Sequence, residues 1–268
     1  VRSGESSAYL DELAFQFGRY LLISSSRSGA LPPNLQGVWN VYQDPPWTAG
    51  YWHNVNEQMN YWLAFNTNLP ELFDPYIDFY RAYLPAHQAL AKKYLTQYHP
   101  SGLAVDGNNG WALGNSMRPF ERRGKSSHSG FGTGPWTTML FWDDYDFTRD
   151  KKLLREVVYP AMRGQANFLS RFVQDIDGKL LAKPSSSPEN ASSLQTVGTT
   201  FDQQMIYENY RDTIKAAQIL GIHDPLIPVL EAQLPRLDPI LIGDSGQIKE
   251  YREETTYGSI GDPHHRPM

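Results

Sequence analysis

The stretch at 53–66, HNVNEQMNYWLAFN, decides how the fold of this chain is interpreted. Its apolar residues Met59, Trp62 and Leu63 recur at helical spacing, so the stretch predicts a helix. Asparagines crowd its beginning, although Asn favours caps and turns because its amide competes with the backbone for hydrogen bonds. One explanation is a sugar site, in which aromatic faces meet amides and carboxylates.

The sequence on either side of this stretch is mainly helical, with long loops rich in Pro and Gly. Helical spacing predicts further helices at 9–24, 70–98, 136–147, 151–174, 202–220 and 225–234. Pro70 lies in the first turn of the longest helix, and Pro85 is expected to kink it. Strand signals are limited to 178–182 and 240–242. About seven helices without a fixed-period repeat predict a bundle or a helical barrel, and no compositional break marks a domain boundary.

Composition narrows the classes of partner. The chain has 24 Lys and Arg against 29 Asp and Glu, and its formal net charge is −5. Nucleic acids and anionic membrane surfaces bind basic patches, so neither is an expected partner. No window of the sequence approaches the apolar length of a membrane span. The absence of Cys excludes disulfides and thiolate metal sites, and it leaves the compartment open, with an extracellular or periplasmic location favoured over the cytoplasm.

Aromatic residues are frequent, at 13% of the chain. Sugar rings stack their C–H faces on such side chains, but large aromatic residues also fill protein cores. Composition alone therefore leaves both a carbohydrate cleft and an aromatic core open.

The usual motifs of metal and nucleotide sites are missing from the sequence. It contains no HExxH, no EF-hand loop, no P-loop and no GxSxG elbow. The glycine-rich run at 130–135, GFGTGP, lacks a preceding strand signal, and the pair His264 and His265 is interpreted as incidental. We therefore expect no metal ion and no cofactor.

Two groups of polar residues fit the hydrolysis of a glycosidic bond. This reaction needs an acid that protonates the leaving oxygen and a second group that activates water or attacks the sugar. Glu189, in the loop PSSSPEN at 184–190, is the best candidate for the acid, because Pro188 restricts the backbone before it. The alternative is an ordinary glutamate in a surface loop. Asn54 and Asn56 could orient water or sugar hydroxyls, whereas helix capping explains only one of them.

Several motifs of the chain resemble those of glycoside hydrolase family 95. They follow the order of that family and cover essentially the whole sequence. They are FQFGRYLLISSSR at 15–27, LQGVWN at 35–40, PPW at 45–47, NVNEQMNYW at 54–62, DYDFTRD at 144–150, PSSSPEN at 184–190, GQIKEY at 246–251 and DPHHR at 262–266.

The resemblance implies an inverting exo-α-L-fucosidase, or a relative acting on α-L-galactosides, built on an (α/α)6 barrel. It implies that Glu189 is the general acid and that Asn54 and Asn56 assist the water-activating base. The expected partner is a fucosylated or L-galactosylated glycan. The residues expected to contact the sugar are Trp39, Trp47, Trp52, His53, Glu57, Trp111 and Asn190.

The sequence also departs from the family. The family's base is an Asp in a Gln-Ile-Asp-Gly-Asn motif, which has no match here, and the predicted helices are about half of those in an (α/α)6 barrel. We therefore interpret 1–268 as one partial catalytic domain, about the first half of the toroid, without an N-terminal β-sandwich and without the second half of the barrel. Alone, it is expected to be inactive or weakly active.

The substrate is a second point of departure. The run GWALGNS at 110–116 and the residue Trp52 differ from the family where the sugar would be touched, so L-fucose itself stays open. Two other functions also stay open. One is a non-catalytic carbohydrate-binding helical module, and the other is a glycoside phosphorylase, in which inorganic phosphate replaces water. The lack of a clear basic phosphate pocket counts against the phosphorylase.

Overall fold

A computed structural model describes Gly4 and residues 7–117, 130–188 and 196–253, and these residues are mainly helical. The α-helices within these ranges are α1 (Ala8–Ser25), α2 (Asn56–Asn66), α3 (Asp74–Tyr98), α4 (Thr133–Thr148), α5 (Lys151–Leu153), α6 (Tyr159–Phe172), α7 (Thr200–Leu220) and α8 (Leu226–Gln233). A π-helical turn joins α5 to α6. Short 3-10 helices lie at Pro46–Ala49, Pro70–Phe73, Pro100–Gly102 and Leu234–Arg236.

Two small antiparallel sheets complete the described part of the fold. In the first, β1 (Tyr51–Trp52) pairs with β2 (Ser116–Met117). This pairing brings the residues that precede α2 beside the segment at 110–116. In the second, β3 (Gln174–Ile176) and β4 (Lys179–Leu181) form a hairpin after α6.

The prediction of a mainly α fold is confirmed, and most predicted helices lie within a few residues of the observed ones. The long helix predicted at 70–98 begins with the 3-10 turn before α3, and Pro85 lies inside α3. The helix predicted at 151–174 is wrong at its end, because Gln174 begins the hairpin strand β3. The strand predicted at 240–242 is also wrong, since Ile242 forms only an isolated bridge.

Helix α4 lies at the centre of the packing. It contacts α2, α6 and α7, and 11 of its 16 residues are buried, which is typical of an interior helix. Its Phe141 packs edge-on against Phe73 and Tyr80 in one aromatic cluster. A second cluster joins α3, α6, α7 and α8 around Phe168 and Phe172. Aromatic residues therefore do build the core, as one of the two interpretations of composition holds.

Helix α1 is packed differently. Only Leu22 and Ser25 of its residues are buried, and its main partner is α2. It exposes large apolar side chains along one side, which we call the α1 apolar face: Tyr9, Leu13, Phe17, Tyr20 and Leu21. In the described part of the chain no helix combines the length and the apolarity needed to cross a bilayer.

Candidate functional site

The turn between β1 and α2 carries the two candidate asparagines. Its backbone is held by two hydrogen bonds: the His53 N–H donates to the Asn115 carbonyl, and the Gln58 amide donates to the His53 carbonyl, each at 2.8 Å. The N-cap position of α2 is taken by the apolar Val55, so neither asparagine occupies it. Helix capping is therefore not the reason for the asparagines at this turn.

The asparagines differ in exposure. Asn54 is buried, at 2% exposure, whereas Asn56 is partly exposed at the first position of α2. Further along the same helix, Met59 and Trp62 are exposed, and the Trp62 ring lies 6.3 Å from that of Trp136 in α4. The accessible side of the turn therefore combines a carboxamide with apolar surface, as a sugar site requires.

Glu57 is fully buried on the opposite side of this turn of α2 from Met59. Neither of its carboxylate oxygens has a hydrogen-bond partner among the residues that the structure describes. Burial raises the pKa of Glu57 well above its ordinary value, because an uncompensated charge is costly in an apolar interior. Burial therefore favours the uncharged form of the carboxyl group, and it gives no support to the predicted contact with sugar.

His53 is buried as well, and with His87 of α3 it lines a small cavity of about 10 Å³. Burial lowers the pKa of His53 to about 3 and that of His87 to about 4, so both imidazoles are neutral. Trp111 lines the same cavity, packs against Tyr80 and donates its indole N–H to the Ala161 carbonyl at 2.8 Å. His53 and Trp111 are thus core residues here, and their predicted sugar contacts stay predictions.

The remaining tryptophans of the predicted sugar-binding set are more accessible. Trp39 and Trp47 lie exposed on the loop before β1, and Trp52 in β1 is partly exposed. Trp47 belongs to a 3-10 turn in which its own φ is 50°, a left-handed conformation that is uncommon for a large residue. Their accessibility is compatible with stacking on a sugar ring.

The proline-bounded loop contains three serines that are all fully buried: Ser185, Ser186 and Ser187. The Ser185 hydroxyl donates to Asp202 of α7 at 2.6 Å, and the Ser187 hydroxyl donates to the buried Glu250. The loop therefore enters the interior up to its third serine. Glu189 and Asn190, the predicted acid and its neighbour, lie outside the described residues.

Asp202, in the first turn of α7, is the central hydrogen-bond acceptor of this region. Its Oδ1 atom accepts the backbone N–H groups of Phe131 and Gly132, each at 2.7 Å, just before α4 begins. Burial raises the pKa of Asp202 to about 7, while these hydrogen bonds and that from Ser185 act in the opposite direction. Sequence reasoning missed Asp202. The pattern Thr199-x-x-Asp202 indicates a helix start, but nothing in it reveals the bonds to distant segments.

The asparagine turn and the serine loop meet at the same two helix starts. Val55, between the two asparagines, packs against the buried cluster that Trp136 of α4 forms with Phe201 and Met205 of α7. Phe201 directly precedes Asp202, which binds Ser185. Both segments therefore contact the first turn of α7, although they are more than a hundred residues apart in the sequence.

No group of three His, Asp or Glu side chains is arranged to hold a metal ion within the described ranges. The site as described offers carboxamides, hydroxyls, aromatic faces and buried carboxyl groups. Such an arrangement can position water and sugar hydroxyls, and it can hold the backbone that leads into residue 189.

Comparison with known sequences places this arrangement in context. Residues 1–268 match the family model described as "Glycosyl hydrolase family 95 catalytic domain". The chain is 34% identical over 257 residues to a "Probable alpha-fucosidase A" of Aspergillus niger, covering 91% of this chain and 31% of that protein. It is 34% identical over 270 residues to "Alpha-L-fucosidase 2" of Arabidopsis thaliana, covering 96% of this chain and 30% of that protein. The chain thus spans slightly less than a third of the length of these two relatives.

Proposed function

Because this chain belongs to glycosyl hydrolase family 95, we propose that it takes part in hydrolysing terminal α-L-fucosyl or related α-L-galactosyl residues of glycans. The reaction inverts the anomeric carbon. Glu189 is the general acid, and Asn54 and Asn56 position the water that attacks the sugar. The names of the two relatives, both α-fucosidases, support this substrate class.

The observation that carries the proposal is that two distant segments both contact residues at the starts of α4 and α7. The asparagine turn packs there through Val55, and the loop that leads to Glu189 is bound there through Ser185. An acid and a water-positioning pair must face one sugar from two sides. In inverting enzymes the acid and the base are ~6.5–9.5 Å apart, which leaves room for the water.

The proposed chemistry divides the work among these groups. Glu189 donates its proton to the leaving glycosidic oxygen as the bond from the anomeric carbon breaks. A carboxamide can accept a hydrogen bond through its oxygen and donate through its nitrogen. Asn54 and Asn56 therefore orient water and sugar hydroxyls without adding charge near the developing oxocarbenium ion. A carboxylate base removes one proton of that water as the water oxygen bonds to the anomeric carbon.

The base is proposed to come from outside 1–268, since these residues contain no Gln-Ile-Asp-Gly-Asn motif. We accordingly propose that the chain is one partial catalytic domain, about the first half of an (α/α)6 barrel. The unpartnered α1 apolar face supports this, because a completed barrel would provide further helices to cover it. Loss of a catalytic base typically reduces turnover by ~10²–10⁴-fold. The chain alone should hydrolyse aryl α-L-fucosides or α-L-galactosides only at this reduced level.

Ligand binding tests the proposal without requiring turnover. Saturation-transfer NMR with L-fucose and L-galactose should detect binding by the chain, and Asn54→Ala and Asn56→Ala should weaken it at least several-fold. Asn66→Ala, at the exposed end of the same helix, is the matched control and should bind as the wild type does. Equal binding by all three variants would contradict the assignment of the asparagines.

The exposure of Trp39 and Trp47 favours one other function, a non-catalytic carbohydrate-binding module. If the chain is such a module, sugar binding should be lost in Trp39→Ala or Trp47→Ala. Glu189→Gln should then leave any turnover unchanged. Robust hydrolysis by the chain alone that Glu189→Gln abolishes would support the hydrolase and refute the predicted inactivity. A dependence of turnover on added inorganic phosphate would instead indicate a phosphorylase.

A further inference from the structure

We propose that Asp202 is a positioning residue, which fixes the serine loop against the start of α4 and so holds the backbone leading to the acid. This inference rests on the proposed function, because the position of that loop matters for catalysis only if Glu189 is the proton donor. The argument depends on residues 130–132, 185–187 and 199–202, all of which are described.

One carboxylate joins three separate segments of the chain. Its Oδ1 atom accepts two backbone N–H groups from Phe131 and Gly132, and its Oδ2 atom accepts the Ser185 hydroxyl. The Ser185 oxygen in turn accepts the N–H of Thr199 at 3.0 Å, at the N-cap of α7. The backbone N–H of Ser186 is a further donor to this carboxylate, so removal of the carboxylate would leave buried amides of two segments without their acceptor.

The fit around Asp202 is close. A Cβ atom added to Gly130 would clash with the Asp202 carboxylate and with the Ser186 carbonyl, and the φ of Gly130 is +63°. A Cβ atom on Gly132 would lie 2.6 Å from the Phe201 ring. The segment before α4 can therefore approach α7 this closely only because positions 130 and 132 are glycines. The close approach leaves the hydrogen-bond network little freedom to adopt other arrangements.

Stability alone does not account for a buried carboxylate at this position. Asp202 is fully buried, and the cost of removing a charge from water often exceeds what its partners return. An apolar residue at this position would avoid that cost, but it could not accept the two amides and the hydroxyl. The hydrogen bonds that Asp202 accepts therefore indicate that it positions these segments, and they are not explained by packing alone.

A second tie fixes the loop two residues further along. The Ser187 hydroxyl donates to Glu250, which is itself buried, and the backbone carbonyl of Glu250 accepts the N–H of Thr200 at 3.1 Å. Both ties lead back to the start of α7. The backbone is thus held on both sides of Ser186, just before Pro188 and Glu189 in the sequence.

Two substitutions of Asp202 separate positioning from general stability. Asp202→Asn keeps one oxygen for the two amides and offers an NH2 group to the Ser185 oxygen, whereas Asp202→Ala removes every acceptor. In hydrogen–deuterium exchange, Asp202→Ala should speed exchange at 185–187 by about ten-fold or more, the factor expected for one net hydrogen bond. Exchange in the α6 core should change far less, and Asp202→Asn should restore most of the protection. Asp78→Asn, on the exposed side of α3, is the control.

The possible outcomes are distinct. Uniform acceleration across all helices in Asp202→Ala, without rescue by Asp202→Asn, would overturn the inference and assign Asp202 a purely structural role. If Asp202→Ala does not fold, Ser185→Ala provides the second variant. It removes the bonds of the Ser185 hydroxyl to Asp202 and Thr199, leaves Asp202 bound to Phe131 and Gly132, and should speed exchange at 186 and 187. L-Fucose binding in the same wild-type sample tests the proposed function separately. If the wild type does not bind L-fucose, the proposed function is refuted, and with it any catalytic role of the Asp202–Ser185 hydrogen bond. If the wild type binds L-fucose but exchange at 185–187 is unchanged in Asp202→Ala, only the positioning role of Asp202 is refuted.

Discussion

At the scale of single residues, Glu57 lies in the environment least suited to its chemistry. It follows Asn56 directly, yet it is fully buried and neither carboxylate oxygen has a partner within the described part of the chain. Its uncharged form avoids most of the cost of burial. Tyr51 and Tyr76 lie near enough for a charge on Glu57 to raise their pKa values further.

The pKa of Glu57 leads to a prediction about stability and pH. In the unfolded chain the pKa is ~4.3, and in the folded chain it is higher, so the contribution to stability is fully present below the unfolded value. It is lost as the pH rises toward the folded value, by up to ~1.4 kcal/mol per pH unit. Glu57→Gln cannot ionise and should escape this loss. Urea unfolding at pH values from about 5 to 8 should show a widening advantage of Glu57→Gln.

The matched control for this prediction is Glu231→Gln on the exposed side of α8. Its free energy of unfolding should follow that of the wild type at every pH. A constant difference between Glu57→Gln and the wild type across the pH range would show that Glu57 is ionised, and thus partnered, in the folded protein.

At the scale of elements, α6 packs closely against the segment that begins at Gly110, and each of the two contributes a glycine to the contact: Gly164 of α6 and Gly110 itself. The Trp111 N–H donates to the Gly164 carbonyl, and a Cβ atom on Gly110 would clash with that same carbonyl. A Cβ atom on Gly164 would lie 2.7 Å from the Trp111 ring. This approach holds Trp111 in the core beside His87.

Two glycine-to-alanine substitutions in helices should therefore have opposite effects. Gly164→Ala overpacks against Trp111, which costs ~1–3 kcal/mol, and only part of this is returned by better helix propensity. Gly18→Ala, in α1, meets no atom within 4 Å and should stabilise the helix by up to ~1 kcal/mol. Thermal unfolding followed by circular dichroism measures both. A higher Tm for Gly164→Ala would mean that the α6 contact is looser than the distances indicate.

At the scale of the whole molecule, the surface is uneven. The net charge of −5 is small for 268 residues. The α1 apolar face, in contrast, exposes several large apolar side chains next to one another. Patches of this kind mark interaction sites. We therefore expect the α1 apolar face to bind a second apolar surface.

The isolated chain should therefore self-associate through the α1 apolar face. Sedimentation velocity over a range of concentrations should show a concentration-dependent increase in the average mass. Phe17→Glu places a charge within the patch and should reduce association, whereas Val105→Glu, on an exposed loop outside it, should not. If the chain is a monomer at all concentrations, or if Phe17→Glu and Val105→Glu change its association equally, the α1 apolar face is not the surface of self-association.

Local patterns predicted several elements well because they depend on neighbours in the sequence. Apolar spacing located α1 and α7 nearly to the residue. It failed at Gln174, where a turn with φ of 51° at Asp177 and 83° at Gly178 folds the chain back into a hairpin. Of the candidate site, sequence reasoning found the asparagine turn, whereas the role of Asp202 depends on Phe131 and Ser185, 71 and 17 residues away.

By itself, the sequence determined the helical class of the chain, its family resemblance and the candidates Asn54, Asn56 and Glu189, since spacing and motifs are local properties. The tertiary structure alone decided that Glu57 and Trp111 face the interior and that the serine loop is bound to Asp202. Burial and hydrogen-bond partners arise from contacts between residues far apart in the chain. No pattern within a single segment contains that information.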